Sequence, residues 1–159
     1  MSRLDSFIRR VTAQRDCLNA IAMQLADVPG AVIELGLGNG RTYDHLREKM
    51  PGRRIVAFDR KLAAHASSAP PAEDLVLGEI AETARAFVGI GAALVHADIG
   101  TGYDDRDAET LRWLPGLTAG LLRAGGIAAS GLPLRHGALQ AMPLPPSVPE
   151  DRYFLYRKL

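Results

Sequence analysis

The sequence predicts an α/β fold, a three-layer sandwich in which a mostly parallel seven-stranded sheet lies between helices and ends in an antiparallel hairpin. Three observations carry that expectation. Short apolar runs alternate along the chain with segments of helical period. The first run, Val32-Ile33, ends in an acid, Glu34, and passes through Gly36, Gly38 and Gly40 into a helix-compatible segment. The last two strand-like runs are joined by a proline-rich turn with no room for a crossover helix, so they pair antiparallel.

Each element follows from its own residues. Leu4, Phe7, Ile8, Val11, Leu18, Ala22 and Leu25 recur at helical spacing and predict a long N-terminal helix within residues 1–28, apolar on one face. Ser2 or Asp5 suits its N-cap, and Pro29-Gly30 ends the connection that follows. The first strand is Ala31–Leu35. A helix over Arg41–Met50 stops at Pro51-Gly52, and the second strand is Arg54–Phe58, ending at Asp59. The Ala/Ser/Pro stretch from Leu62 to Ala72 reads as a poor helix followed by a loop. The third strand, Asp74–Leu77, runs into a helix over Glu79–Phe87. The fourth, Ala92–Ala97, ends in Asp98. A helix over Arg106–Leu122 is terminated by Gly125-Gly126, and Gly126–Ser130 is the fifth strand. Ala138–Met142 and Arg152–Arg157 form the hairpin.

Composition sets the outer bounds. A chain of 159 residues fits one domain, with the N-terminal helix followed by a core over residues 31–159. Apolar content of 47% and charged content of 23% are those of a globular protein, and a net charge of +1 points to neither nucleic acid nor an anionic membrane. No apolar run approaches the ~20 residues of a membrane helix, and the N-terminus lacks a signal-peptide core. One cysteine, Cys17, excludes an intrachain disulfide and fits a reducing compartment, so a cytoplasmic location is expected. Cys17 falls in the amphipathic helix and reads as a packed thiol rather than a nucleophile.

The glycine turn is the most informative feature. A strand that runs through glycines into a helix opens backbone N–H groups at the ligand-binding end of a parallel sheet. The spacing is G-x-G-x-G, and Arg41 stands where the dinucleotide fingerprint needs a small residue, which weighs against NAD. Asp59 lies 25 residues after Glu34, about one strand–helix–strand unit. A carboxylate at that strand end is suited to two vicinal hydroxyls, or else caps the next helix.

In their order, these signals resemble a class I S-adenosylmethionine-dependent methyltransferase, of the short bacterial type that is little more than a cofactor domain. The resemblance covers nearly the whole chain. It rests on Glu34 with Gly36, Gly38 and Gly40, on Asp59 in IVAFDR, on Gly78-Glu79-Ile80, on Asp98 in LVHADIG, on LLRAGGIAASG, and on the closing strand RYFLYRKL. It implies a Rossmann-like sandwich with strand seven inserted antiparallel, and S-adenosylmethionine as cofactor. The cofactor site it implies is Glu34, Gly36, Leu37, Gly38, Asn39, Gly40 and Thr42 around the first turn. Asp59 and Arg60 follow at the ribose, Gly78, Glu79 and Ile80 near the adenine, and then Asp98, Ile99 and Gly100. In the family the Glu34 position orients the methionyl amino group. Simpler roles compete: Glu34 as a structural strand-end acid, and Glu79 and Thr42 as residues that suit a helix first turn anyway.

The implied reaction is an in-line methyl displacement, which needs an aligned nucleophile and a base only if the acceptor must lose a proton. Tyr103, Asp104 and Asp105 after the fourth strand and His136 after the fifth stand at the right end of the sheet, so Tyr103, Asp104 and His136 are the catalytic candidates. His96, inside the fourth strand, reads as a packed imidazole, while His45 and His65 read as exposed. No Asn-Pro-Pro-Tyr-type sequence follows strand four, which argues against amide or adenine N-methylation. No paired cysteines imply zinc, and no metal is expected. The chain carries no acceptor-binding insertion, so a small acceptor is expected, or a homo-oligomer built through the N-terminal helix or the C-terminal hairpin. Gln14 and Arg15 of that helix either lie on the solvated polar face of a scaffold helix, or one of them reaches over the cleft, where a guanidinium can pair with the cofactor's carboxylate. A cofactor-binding subunit without its own acceptor site is the alternative reading, and an NAD-dependent oxidoreductase is a weaker one.

Overall fold

The computed structural model describes all 159 residues. Its strands are β1 (Val32–Leu35), β2 (Ile55–Asp59), β3 (Leu75–Leu77), β4 (Ala92–Ala97), β5 (Leu122–Ser130), β6 (Leu139–Ala141) and β7 (Phe154–Lys158). They form one sheet in the order β3-β2-β1-β4-β5-β7-β6. The first five strands run parallel, and β7 lies antiparallel between β5 and β6. That inserted strand takes the place of the sixth parallel strand that a nicotinamide-binding sheet requires.

The four α-helices are α1 (Arg3–Gln24), α2 (Arg41–Lys49), α3 (Ile80–Thr83) and α4 (Asp104–Leu121). Alternation along the central strands sorts the core into two halves. Val32, Ile55, Ala57 and Leu94 pack under α1 and α2, while Ile33, Leu35, Val56, Phe58 and Val95 pack under α3 and α4. Both faces of the central strands are therefore dry, as expected of a parallel sheet covered by helices.

Ser2 is the N-cap of α1, and Asp5 completes a capping box with it, so both residues named as alternatives take part. The buried face of α1 matches the expected one only in its second half, where Leu18 and Leu25 are buried. It is Ala13, Gln14, Cys17, Leu18 and Ile21, whereas Leu4, Phe7 and Ile8 are exposed. The opening turns of the helix reach Asp98, just after β4, and Arg152, just before β7, through the polar side chains of Arg10 and Ser6, and Leu4, Phe7 and Ile8 are left exposed. At the other end Arg53 ties the helix down by donating to the carbonyls of Leu25 (2.8 Å) and Val28 (2.6 Å).

Three further expectations are corrected. No α-helix forms in 62–72. Only 3₁₀ turns at Ala66–Ser68 and Ala72–Asp74 appear, because Pro70 and Pro71 interrupt a segment that has no apolar face. The helix expected over Glu79–Phe87 is α-helical only over α3, with Glu79 as its N-cap, and finishes as a 3₁₀ turn. The glycine pair does not end α4. The helix stops at Leu121, and Gly125 (φ 80°) lies in a bulge of β5, where Ala92 pairs with Leu122 but Leu94 with Ile127. No helix lies between β5 and β7, as the short spacing there implies. No helix is long and apolar enough to cross a membrane.

Candidate functional site

The carboxyl ends of β1, β2 and β4 open onto one cleft of about 740 Å³. Its floor is the β1–α2 turn. Gly36 adopts φ 90°, and a Cβ there would come within 2.5 Å of the Ile99 side chain, so only glycine fits. The N–H of Gly38 donates to Asp59 Oδ2 (2.8 Å), and that of Arg60 to Oδ1 (2.7 Å). Asp59 thus shapes the glycine turn while its carboxylate lines the cleft. Arg60 and Glu79 form an ion pair at 3.0 Å with largely exposed side chains, a contact of little energetic weight.

Of the residues expected at a cofactor, Gly36, Gly38, Asp59, Arg60, Glu79, Ile80, Asp98 and Ile99 line this cleft. The others stand apart from it. Leu37 is buried in the core under α1 and α2. Asn39 accepts from the Arg41 N–H, and Gly40 (φ 82°) starts α2 packed against Ser68. Gly78 makes the turn out of β3, with φ 136°. Gly100 lies in a neighbouring cleft. Arg15 is turned away, with its guanidinium 2.9 Å from Asp16, in a small groove beside Thr42 and His45.

Glu34 and Thr42 belong to a buried polar chain beneath α1. Glu34 and His96 are register partners on β1 and β4, and both are fully buried. Glu34 Oε1 lies 2.7 Å from His96 Nδ1 and accepts from the Thr42 hydroxyl at 3.0 Å. His96 Nε2 meets the Tyr153 hydroxyl, to which Gln14 Nε2 also donates at 3.3 Å. Burial alone would push the imidazole's pKa down. The Glu34 charge and its hydrogen bond outweigh that and hold His96 above its ordinary value. Burial, and then the charge of Asp98, push the Tyr153 hydroxyl well above the phenol range, so it stays neutral. Glu34 Oε2 is buried and has no partner. The packed imidazole is as expected. The placement of Gln14 is not: it points inward to Tyr153 rather than over the cleft.

The catalytic candidates fall outside the cleft. Asp107 accepts from the Thr101 N–H (2.7 Å), the Thr101 hydroxyl (2.8 Å) and the Gly102 N–H (3.1 Å), which folds the loop after β4. That fold leaves Tyr103 63% exposed under the Arg106 guanidinium and puts Asp104 and Asp105 in the first turn of α4, facing solvent. His136 is exposed and accepts from the Ala138 N–H at 3.1 Å. His45 hydrogen-bonds Asn19, and Cys17 is buried with its thiol pushed up to about 11 by burial, so it is not a nucleophile.

Sequence reasoning missed one whole wall. Arg106, Glu109, Thr110 and Trp113 of α4 line the cleft opposite the glycine turn, at i, i+3, i+4 and i+7 spacing that marks one helix face. It missed Arg10 as well. Arg10 sits on the same face of α1 as Ala13, Gln14 and Cys17, and its guanidinium reaches Asp98 at 3.3 Å. Groups of acids, histidines and cysteines able to hold a metal ion are absent.

The chain is similar to known proteins along nearly its whole length. Residues 1–158 match a family model described as S-adenosyl-L-methionine methyltransferase. The crystal structure of an S-adenosyl-L-methionine methyl transferase from Silicibacter pomeroyi DSS-3 is 42% identical over 99% of each chain, with a TM-score of 0.92. The N-methyltransferase NodS from Bradyrhizobium japonicum WM9 is 14% identical over 92% of this chain and 97% of its own, at TM-score 0.58. TrmN from Thermus thermophilus is 18% identical over 89% of this chain and 48% of its own, at TM-score 0.59. At those identities the last two share the fold alone. No curated protein matches the chain.

Proposed function

The chain belongs to the S-adenosyl-L-methionine methyltransferase family, and from that premise we propose that the cleft above β1, β2 and β4 holds the cofactor for methyl transfer to a small acceptor. The observation that carries the assignment is the meeting of Asp59, Glu79 and Asp98 over the glycine turn, three strand-end acids in one cleft. Residues 1–159 act as one domain in this reading, and the single buried thiol suits the reducing cytoplasm.

The residues present fit the cofactor. Asp59 presents a carboxylate to the cleft, the partner two ribose hydroxyls require. Ile80 and Trp113 offer apolar surface to the adenine between Glu79 and α4. The unpartnered Oε2 of Glu34 is an acceptor awaiting a donor, and the methionyl ammonium is one. Arg15 takes no part, and the residue of α1 that reaches the site is Arg10.

When bound, S-adenosylmethionine supplies a sulfonium-activated methyl group that passes in line to a nucleophile. The protein's task is placement. Glu34 is held in one orientation by Thr42 and His96, and Asp98 by Arg10, so the acids around the donor do not reorganise during the reaction. Asp98 stands where the cleft continues toward β5, between the donor and the space left for an acceptor.

The test is turnover of methyl-labelled cofactor against a panel of small metabolites, with and without cell extract. Label transferred to a small molecule supports the proposal. Tight cofactor binding with no transfer under either condition would reassign the chain as a cofactor-binding subunit.

A further inference from the structure

We infer that the second cleft, beside the first, is the acceptor site, and that it selects a small acceptor carrying a carboxylate or phosphate held by Arg152. The inference rests on the cofactor reading above. This cleft measures about 630 Å³ and shares Asp98 and Thr101 with the first. A molecule bound in it therefore lies beside the donor, where the two clefts meet at Asp98 and Thr101. The volume suits a small molecule.

Its lining is polar, with only Leu132 and Tyr153 apolar, and the charges in it can be accounted for one at a time. Asp98 is occupied by Arg10 at 3.3 Å. Asp107 is occupied by its three hydrogen bonds from Thr101 and Gly102. Asp151 is exposed at the rim, in a left-handed turn with φ 63°. Arg152 is the exception. It is half-buried, and its one hydrogen bond is a long one, 3.4 Å, to the neutral hydroxyl of Ser6. Every other charged group inside the rim has its opposite charge or its hydrogen bonds, and this guanidinium lacks a carboxylate partner.

A guanidinium offers five N–H donors in a planar fork that matches a carboxylate or phosphate with two parallel hydrogen bonds. A neutral acceptor would leave those donors unpaired in a partly desolvated site, which is how such sites reject analogues lacking the anion. The arrangement also gives a role to the opening turns of α1, which contribute little to the core. Ser6 contacts Arg152 and Arg10 contacts Asp98, so this segment walls the acceptor cleft.

The test uses the full chain saturated with S-adenosylhomocysteine. Inorganic phosphate and a series of small carboxylates are titrated by NMR into wild type, Arg152→Ala and Arg152→Lys. Binding in wild type, at least tenfold weaker in Arg152→Ala and weakened in Arg152→Lys, is expected, with the S-adenosylhomocysteine affinity of all three within twofold. The labelled-methyl assay is then expected to favour anionic over neutral and cationic acceptors. Equal anion affinity in wild type and Arg152→Ala, or transfer to neutral acceptors as fast as to anionic ones, overturns the acceptor assignment alone. Failure of wild type to bind S-adenosylhomocysteine at all overturns the cofactor reading, and this inference with it.

Discussion

Glu34 carries a carboxylate into the interior, where an isolated charge costs several kcal/mol, and His96 beside it is what makes that burial tolerable. Breaking such a pair by removing one partner leaves the other charge uncompensated. His96→Gln should therefore lower unfolding stability by about 3–5 kcal/mol near neutral pH. The pH dependence has a definite sign. With its folded-state pKa raised, His96 binds its proton more tightly in the native chain than in the unfolded one. The resulting stability is complete below the unfolded value of about 6.5 and is lost as pH rises through the folded value. Urea unfolding of wild type and His96→Gln across that range should show the gap between them shrinking as pH rises. A gap that stays constant or widens contradicts the charged pair. Arg15 gives a contrasting prediction. Its guanidinium pairs with Asp16 and lines the groove beside Thr42 and His45 rather than the cleft, so Arg15→Ala should leave cofactor affinity within about 0.5 kcal/mol of wild type by calorimetry. A larger loss would return Arg15 to the cleft.

Among the elements, α1 separates what periodicity can show from what it cannot. Helical spacing of Leu4, Phe7, Ile8, Val11 and Leu18 is enough to identify the helix, because it depends only on the chain. Which residues are buried depends on where the helix meets the sheet, and that is set by the Arg53 anchor and the α1–β1 connection. Leu18 is 1% exposed and Leu4 66%. Leu18→Ala should cost about 2–5 kcal/mol of stability, while Leu4→Ala should change it by no more than about 0.5 kcal/mol. Equal costs in denaturant titration would mean that the exposed turns are covered in solution. The strands are the most legible elements, β4 above all, because two covered faces demand a nearly continuous apolar run, here interrupted only by His96. The segment 62–72 and the start of β5 were least legible. Their conformation follows from prolines and from a bulge against β4 rather than from any periodic pattern.

Across the whole molecule, the cleft opens at the ends of parallel strands, which is why the sequence alone points to Asp59, Glu79 and Asp98 as residues that line it. Strand ends are fixed by the sheet, but loop directions are not. Tyr103, Asp104 and His136 follow the right strands, yet the three hydrogen bonds to Asp107 turn the β4–α4 loop so that Tyr103 and Asp104 face solvent. The wall from α4, and Arg10 and Arg152 from opposite ends of the chain, reach the two clefts only once the sheet has formed. The claim on which the account depends is that the cleft of Asp59 is the cofactor site. Isothermal titration calorimetry of S-adenosylmethionine and of NAD into wild type and Asp59→Ala tests it directly. Binding of S-adenosylmethionine to wild type with a dissociation constant of order micromolar, roughly −8 kcal/mol, is predicted. Asp59→Ala should weaken it by about 1.5–3 kcal/mol while remaining folded, and NAD should give no comparable heat. Binding of NAD in place of S-adenosylmethionine, or unchanged S-adenosylmethionine affinity in a folded Asp59→Ala, would contradict the account.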